Sequence, residues 1–104
     1  MISQECYEGD SATFEAVIIS TPPPHEVHWF FNQNLLVNSQ GCHIIHEGDV
    51  FKLFLHNLDA KNHSGVIMVK AANTAGSAQS SASLFVKQKV EKVKMKIKAK
   101  NLIN

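Results

Sequence analysis

The sequence predicts an all-β domain built as two antiparallel sheets packed face to face, and three observations carry that prediction. Between Ser11 and Val86 the apolar residues recur mostly with period two, the mark of half-buried strands. The alternating runs are broken by turn residues at intervals of about eight to twelve positions, the rhythm of a sandwich. Helical spacing is absent from the same span. One hundred and four residues leave room for a single core, since a chain this short buries only about two-thirds of its unfolded surface, so a two-domain enzyme is excluded.

Seven or so short strands follow in order. Ala12, Phe14, Ala16 and Ile18 share one face of a run that ends at Ser20-Thr21-Pro22-Pro23-Pro24, where three prolines exclude a central strand and predict a loop. Val27, Trp29 and Phe31 alternate next, stopped by the polar turn Asn32-Gln33-Asn34 before the short Leu35-Leu36-Val37. Ile44 begins a segment that turns at Glu47-Gly48-Asp49, and Phe51, Leu53 and Leu55 alternate out of that turn. Val66 to Ala72 leads to Asn73-Thr74-Ala75-Gly76, where glycine supplies the left-handed position of a hairpin loop. Ala82, Leu84 and Val86 close the pattern.

Hydrophobic residues make up 44% and charged residues 18%, a globular composition. No apolar run approaches the ~18 residues of a membrane span, and the opening MISQECYEGD lacks the basic and apolar regions of a signal peptide, so the expectation is a soluble chain. The net charge of +1 hides a division. Up to Val86, three lysines stand against eight acidic residues, a net −5; from Lys87 onward, seven lysines face only Glu91, a net +6. The chain contains no arginine, the side chain that grips phosphate as a bidentate fork, which argues against a nucleic-acid site in the body.

From Glu8 to Val86 the chain resembles an intermediate-set immunoglobulin-like domain, the type arrayed along the giant muscle proteins titin, obscurin and twitchin. The resemblance rests on Glu8-Gly9-Asp10-Ser11-Ala12-Thr13-Phe14-Glu15, Val27-His28-Trp29-Phe30, Leu53-Phe54-Leu55 with Leu58, and Ser64-Gly65. It continues through Lys70-Ala71-Ala72-Asn73-Thr74-Ala75-Gly76 and Ala82-Ser83-Leu84-Phe85-Val86. It implies a Greek-key immunoglobulin-like sandwich over residues 1–86, followed by a lysine-rich linker or tail over 87–104.

Departures from the family pattern are informative. The positions that an inter-sheet disulfide would join carry Ala16 and Val69, so Trp29 is expected to pack on those two residues, with Leu53 and Leu84 completing the core. The tyrosine-corner position holds Ile67. Loss of a cross-link worth a few kcal/mol fits a reducing cytosol. Cys6 and Cys42 fall on positions that do not face each other and are expected to be free thiols. The family's first strand usually begins further upstream of Glu8-Gly9-Asp10 than Met1 does, so either that strand is trimmed or the edge it would cover is open.

Candidate chemistry is sparse. His25 and His28 are three apart, as are His43 and His46, with His56 and His63 alone and Cys42 beside the second pair. On strands that spacing points two imidazoles to opposite faces, so no metal site is expected. Ser64 beside His63 lacks a third residue to orient the base; the family places a corner-pinning Asp just before this turn, where Asn62 or His63 stands after an apparent one-residue insertion. The five glycines are isolated, so no loop is built to cradle phosphate. The expectation is a protein without catalytic residues or cofactor.

The outward faces say more. If Val27, Trp29, Ile67, Val69, Leu84 and Val86 point inward, then His28, Phe30, Val66, Met68, Lys70, Ser83 and Phe85 point out of the same sheet. Phe30, Met68 and Phe85 then approach one edge and form either a protein interface or a patch covered by a neighbouring domain or the tail. The tail carries two periodicities: Val86, Val90, Val93 and Ile97 make a helical stripe, whereas Val93, Met95, Ile97 and Ala99 alternate with lysines as a strand would. A basic amphipathic segment can bind an acidic partner such as calmodulin, an acidic membrane or nucleic acid, but its lack of arginine and aromatic residues favours a plain linker over these, so neither nucleic acid nor a membrane is expected as a partner.

The sequence therefore reads as a non-enzymatic module of a cytoplasmic sarcomeric protein. It would bear load through its terminal strands and dock neighbouring immunoglobulin-like domains and filament proteins. An adaptor whose basic tail is the ligand is the second reading, and an extracellular adhesion domain is disfavoured by Ala16 and Val69.

Overall fold

In a computed structural model of the chain, residues 1–88 are described. They form eight strands and no helix: β1 Gln4–Tyr7, β2 Ala12–Val17, β3 Glu26–Phe31, β4 Asn34–Leu35, β5 Cys42–Glu47, β6 Val50–Leu55, β7 Gly65–Asn73 and β8 Gly76–Lys87. One sheet runs β1-β8-β7-β3-β4 and the other β2-β6-β5. All neighbours are antiparallel except β1 and β8, which run parallel with Gln4 beside Leu84 and Tyr7 beside Lys87. The fold is thus the all-β, two-sheet immunoglobulin-like sandwich, with both cysteines free and no disulfide among the described residues. The lysine-rich segment from residue 89, with its competing helical and strand periodicities, lies outside the described residues.

The strand that covers the β8 edge is β1. Its last residue enters a tight turn in which the Asp10 amide donates to the Tyr7 carbonyl at 3.0 Å, and Asp10 Oδ2 accepts the Tyr7 amide at 3.0 Å. Gly9 takes a φ of 88°, a conformation that favours glycine. The β3–β4 connection is tighter than the polar run Asn32-Gln33-Asn34 suggests. Asn32 and Gln33 alone make the turn with φ of 47° and 72°, and Asn34 already pairs with Phe31. Short polar residues tolerate the left-handed region, and two in succession match the twist of a hairpin.

Two strands extend beyond their apolar pattern. β5 starts at Cys42, two residues before Ile44, because Cys42 is buried opposite Leu55. β8 runs back to Gly76 because β7 pairs with it continuously from Gly65–Leu84 to Asn73–Gly76. Its exposed first third, Gly76 to Gln79, carries little apolar alternation, so the hairpin ladder rather than burial defines it. At the hairpin tip Asn73 Oδ1 accepts the amides of Ala75 at 2.8 Å and Gly76 at 3.1 Å.

The core is filled from both sheets by alternate residues: Ala12, Phe14, Leu53 and Leu55 from one, Trp29, Ile67, Val69, Ala82, Leu84 and Val86 from the other, with Cys42 and Leu58 at the side. Among the described residues no polar or charged residue is buried. Trp29 Nε1 is enclosed without a hydrogen-bond partner.

Candidate interaction surfaces

Two regions could act on another molecule: the pair of terminal strands and the outward face of the five-stranded sheet. The first is built by register. β1 and β8 lie parallel, so the chain enters the pair at one end and leaves it at the other. On its outer side Lys87 forms an ion pair with Glu5 at 3.2 Å and sits 5.8 Å from the Tyr7 ring centroid. The hydrogen bond and charge of Glu5, then the proximity of Tyr7, hold the Lys87 ammonium above its ordinary pKa. Beneath the pair, Ser64 Oγ accepts the Val86 amide at 3.0 Å, fastening the end of β8 to the corner before β7.

The second region follows from alternation. Phe30 stands directly opposite Met68, Leu35 opposite Phe30 and Ser81 opposite Met68, which makes one row across the sheet. Phe30 and Met68 are half-buried, while Phe85 is 51% exposed. Phe85 lies four residues along β8 from Ser81 and beside Glu5, so it approaches the row from the same end without belonging to it. Val66, paired with Ser83 and 47% exposed, fills the interval. Asn32, Gln33, Val66, Met68 and Ser81 line a shallow hollow of about 390 Å³. Leu35 is the member that sequence reasoning left off this face, whereas Val66 was placed on it by alternation; Leu35 sits in a two-residue strand, too short to show alternation.

Among the residues expected in the core, Trp29, Val69, Leu53 and Leu84 are each at most 3% exposed. Ala16 is half-buried at the rim of a cleft of about 320 Å³ that it shares with Val69 and Ala71.

The remaining chemistry-bearing residues serve local structure. His43 and His56 meet edge to face at 5.1 Å, with Ser11 Oγ 3.2 Å from His56 Nδ1. That pairing joins β5 to the end of β6 and is invisible in the linear spacing. His46 stacks on Phe51 across the same ladder, and among the described residues no three His, Cys, Asp or Glu groups gather as a metal would need. His63 Nδ1 accepts the Asp59 amide at 2.8 Å, while Ser64 Oγ is engaged by Val86 and lies 3.4 Å from the Ala60 carbonyl. The imidazole and hydroxyl thus face separate partners. The corner is held jointly: the Asp59 carboxylate accepts the Lys61 amide and Asn62 Nδ2, and His63 Nδ1 accepts the Asp59 amide. Burial pushes the thiols of Cys6 and Cys42 up in pKa, with Asp10 adding to the effect at Cys6; neither resembles an activated nucleophile.

Comparison with known proteins agrees with this geometry. The immunoglobulin I-set domain model matches residues 1–86. Striated muscle preferentially expressed protein kinase of Danio rerio is 34% identical over 84 residues, which span 81% of this chain and 3% of that protein. Muscle M-line assembly protein unc-89 of Caenorhabditis elegans is 33% identical over 78% of this chain and 1% of its own length. The crystal structure of titin domain M3 superposes with a TM-score of 0.75 at 34% identity, covering 83% of this chain and 88% of that one. Titin Z1Z2 in complex with telethonin gives 0.78 at 37% identity, covering 85% and 45%. The likeness to a named kinase spans 84 residues, a few per cent of that relative. By sequence and by sheet order, the chain belongs to the immunoglobulin I-set family.

Proposed function

We propose that the chain is a load-bearing and protein-docking module of a cytoplasmic sarcomeric protein. The observation that carries the mechanical half is the parallel pairing of β1 with β8. Tension applied through the two chain ends pulls these strands past one another, so their backbone hydrogen bonds are loaded together in shear. An antiparallel terminal pair would unzip them one at a time. The Lys87–Glu5 ion pair and the Ser64–Val86 hydrogen bond lie on the same junction and add resistance there.

The docking half is supported by Leu35, Phe30, Met68, Val66 and Phe85 on one outward face, an apolar grouping that single soluble domains usually avoid. The muscle relatives and the telethonin complex of titin Z1Z2 point to neighbouring I-set domains and filament proteins as partners. Burying three such side chains contributes about 1.5–3 kcal/mol each before the entropic cost of association, enough to assist a contact and too little to hold one alone.

Force spectroscopy of the chain within a polyprotein tests the mechanical reading. Cys6→Pro removes a backbone donor from β1 and is expected to lower the unfolding force. An unfolding force equal to that of the unsubstituted chain would overturn the role of this pair. For docking, Phe30→Ser with Phe85→Ser should weaken binding to an adjacent I-set domain while leaving the unfolding force unchanged.

A further inference from the structure

β1, β4, β2 and β5 form the edges of the two sheets, and all but β4 are covered or charged. Along β5 the Cys42 amide donates to the Ser39 carbonyl at 3.3 Å and the Ile44 amide to Asn38 Oδ1 at 2.8 Å, so the preceding loop occupies that edge. Glu5 on β1 pairs with Lys87, and Glu15 on β2 pairs with Lys52. Charged side chains on an edge strand oppose the addition of another strand. β4 has neither cover nor charge among the described residues.

The ladder fixes which of its backbone groups are free. Asn34 pairs with Phe31, and the Leu36 amide donates to the Trp29 carbonyl at 2.8 Å, so contact with β3 continues one residue past β4. Asn34 and Leu36 thus turn their backbone groups to β3, while Leu35 and Val37 turn theirs away from the sheet. Among the described residues no hydrogen bond engages the backbone of Leu35 or Val37. Leu36 packs against the core, whereas the Leu35 and Val37 side chains are 55% and 63% exposed. The open edge is therefore apolar as well as unpaired.

The chain around it is uncharged. Residues 27–46 contain no Asp, Glu, Lys or Arg, a longer such stretch than any other in the sequence, and β4 lies near its middle. Elsewhere the body is acidic, with a net −5 up to Val86, so most approaches of one copy to another bring like charges together. An approach through β4 does not.

We propose that a second copy of this chain pairs with it edge to edge through β4, antiparallel about a two-fold axis. A two-fold contact matches the same patch on both copies, so the neutrality and the free groups of one edge are met in kind by the other. Placing Leu36 opposite its counterpart lets Leu35 and Val37 exchange N–H and C=O groups with Val37 and Leu35 of the second copy, about four backbone hydrogen bonds in all. The exposed side chains of Leu35 and Val37 then lie side by side across the axis. The row of Ser81, Met68, Phe30 and Leu35 ends at this edge, so pairing joins the outward faces of two five-stranded sheets into one surface. The pairing stands apart from the docking of other proteins on that face, which the Phe30 and Phe85 substitutions test.

Sedimentation equilibrium and amide hydrogen exchange on the full 104-residue chain test this. The chain should dimerise as its concentration rises, and the Leu35 and Val37 amides should then exchange at least about tenfold more slowly than in the dilute chain. Leu35→Lys with Val37→Lys places like charges across the axis and should weaken dimerisation at least about tenfold. The same variant should keep the thermal midpoint of the dilute chain, since both side chains are exposed. A chain that stays monomeric at every concentration would overturn the proposal, as would a dimer that the double substitution leaves intact. Protection of Leu35 and Val37 that does not depend on concentration would also overturn it, because another part of the same chain would then cover the edge.

Discussion

The side chain of Asn32 lies across the backbone of Gly65, and its Oδ1 accepts the Val66 amide at 2.9 Å. A Cβ built on Gly65 would stand 2.7 Å from Asn32 Cγ, inside any ordinary contact. Asn32 in turn sits at a φ of 47° in the β3–β4 turn, with its amide bonded to the Val66 carbonyl at 2.9 Å. The turn and the start of β7 are therefore held by one side chain that packs over Gly65. Gly65→Ala should displace that side chain and cost the hydrogen bond it makes to Val66, about 0.5–1.5 kcal/mol. Asn32→Gly suits the positive φ and removes the obstruction, so the double variant should be less destabilised than the sum of the two singles. Urea unfolding of the four chains measures the difference; strict additivity would mean that Asn32 is not the obstacle.

Trp29 is 1% exposed, and its Nε1 has no hydrogen-bond partner among the described residues. Trp29→Ala should cost about 3–5 kcal/mol through the cavity it leaves. Trp29→Phe loses volume but also removes an unpaired buried donor, whose desolvation costs about 1–3 kcal/mol. Its penalty should therefore fall well below that of Trp29→Ala. Native fluorescence should be that of an enclosed indole, and an emission maximum like that of free tryptophan would contradict the packing.

Cys6 and Cys42 lie on separate sheets, in β1 and β5, and are free. Thermal unfolding should be the same with and without reductant. Burial raises the Cys42 thiol above its ordinary value of 9.0 because the thiolate is disfavoured inside. The neutral thiol is retained in the folded state while the unfolded chain ionises, so this contribution is complete below about pH 9 and is lost as pH rises through the higher folded value. Stability should decline in the alkaline range, and Cys42→Val should flatten that decline. An unchanged alkaline slope would place its origin elsewhere.

The strands were readable wherever burial imposes period two. Phe14, Trp29, Leu53, Ile67 and Leu84 are the largest fully buried side chains, and each stands in an alternating run of the sequence. Structure fixed by hydrogen bonding rather than burial was not readable. The exposed start of β8 and the two-residue β4 owe their form to hairpin ladders with β7 and β3, and the parallel β1 to β8, a partner far away in sequence. The same holds for the surfaces. Phe30, Val66 and Met68 could be placed on one face by counting, but the direct opposition of Phe30 and Met68, the four-residue offset of Phe85 and the presence of Leu35 depend on register. The meeting of His43 with His56 is likewise a cross-strand fact.

Inward and outward aromatic residues should respond to substitution in opposite ways. Phe14 is 1% exposed between the sheets, whereas Phe85 is 51% exposed on the far face of β8, between the buried Leu84 and Val86. Phe14→Ala removes a core ring and should cost about 3–5 kcal/mol. Phe85→Ser removes a ring that already meets water, and a surface change of this kind usually stays within about 0.5 kcal/mol. Phe30 lies between these limits: it is half-buried against Met68 and Leu35, so Phe30→Ser should cost more than the Phe85 substitution and less than the Phe14 one. Denaturant unfolding of the three single variants gives the order directly. If Phe85→Ser proved as damaging as Phe14→Ala, the ring would be internal, the alternation along β8 would be displaced by one residue, and the apolar face proposed for docking would not exist.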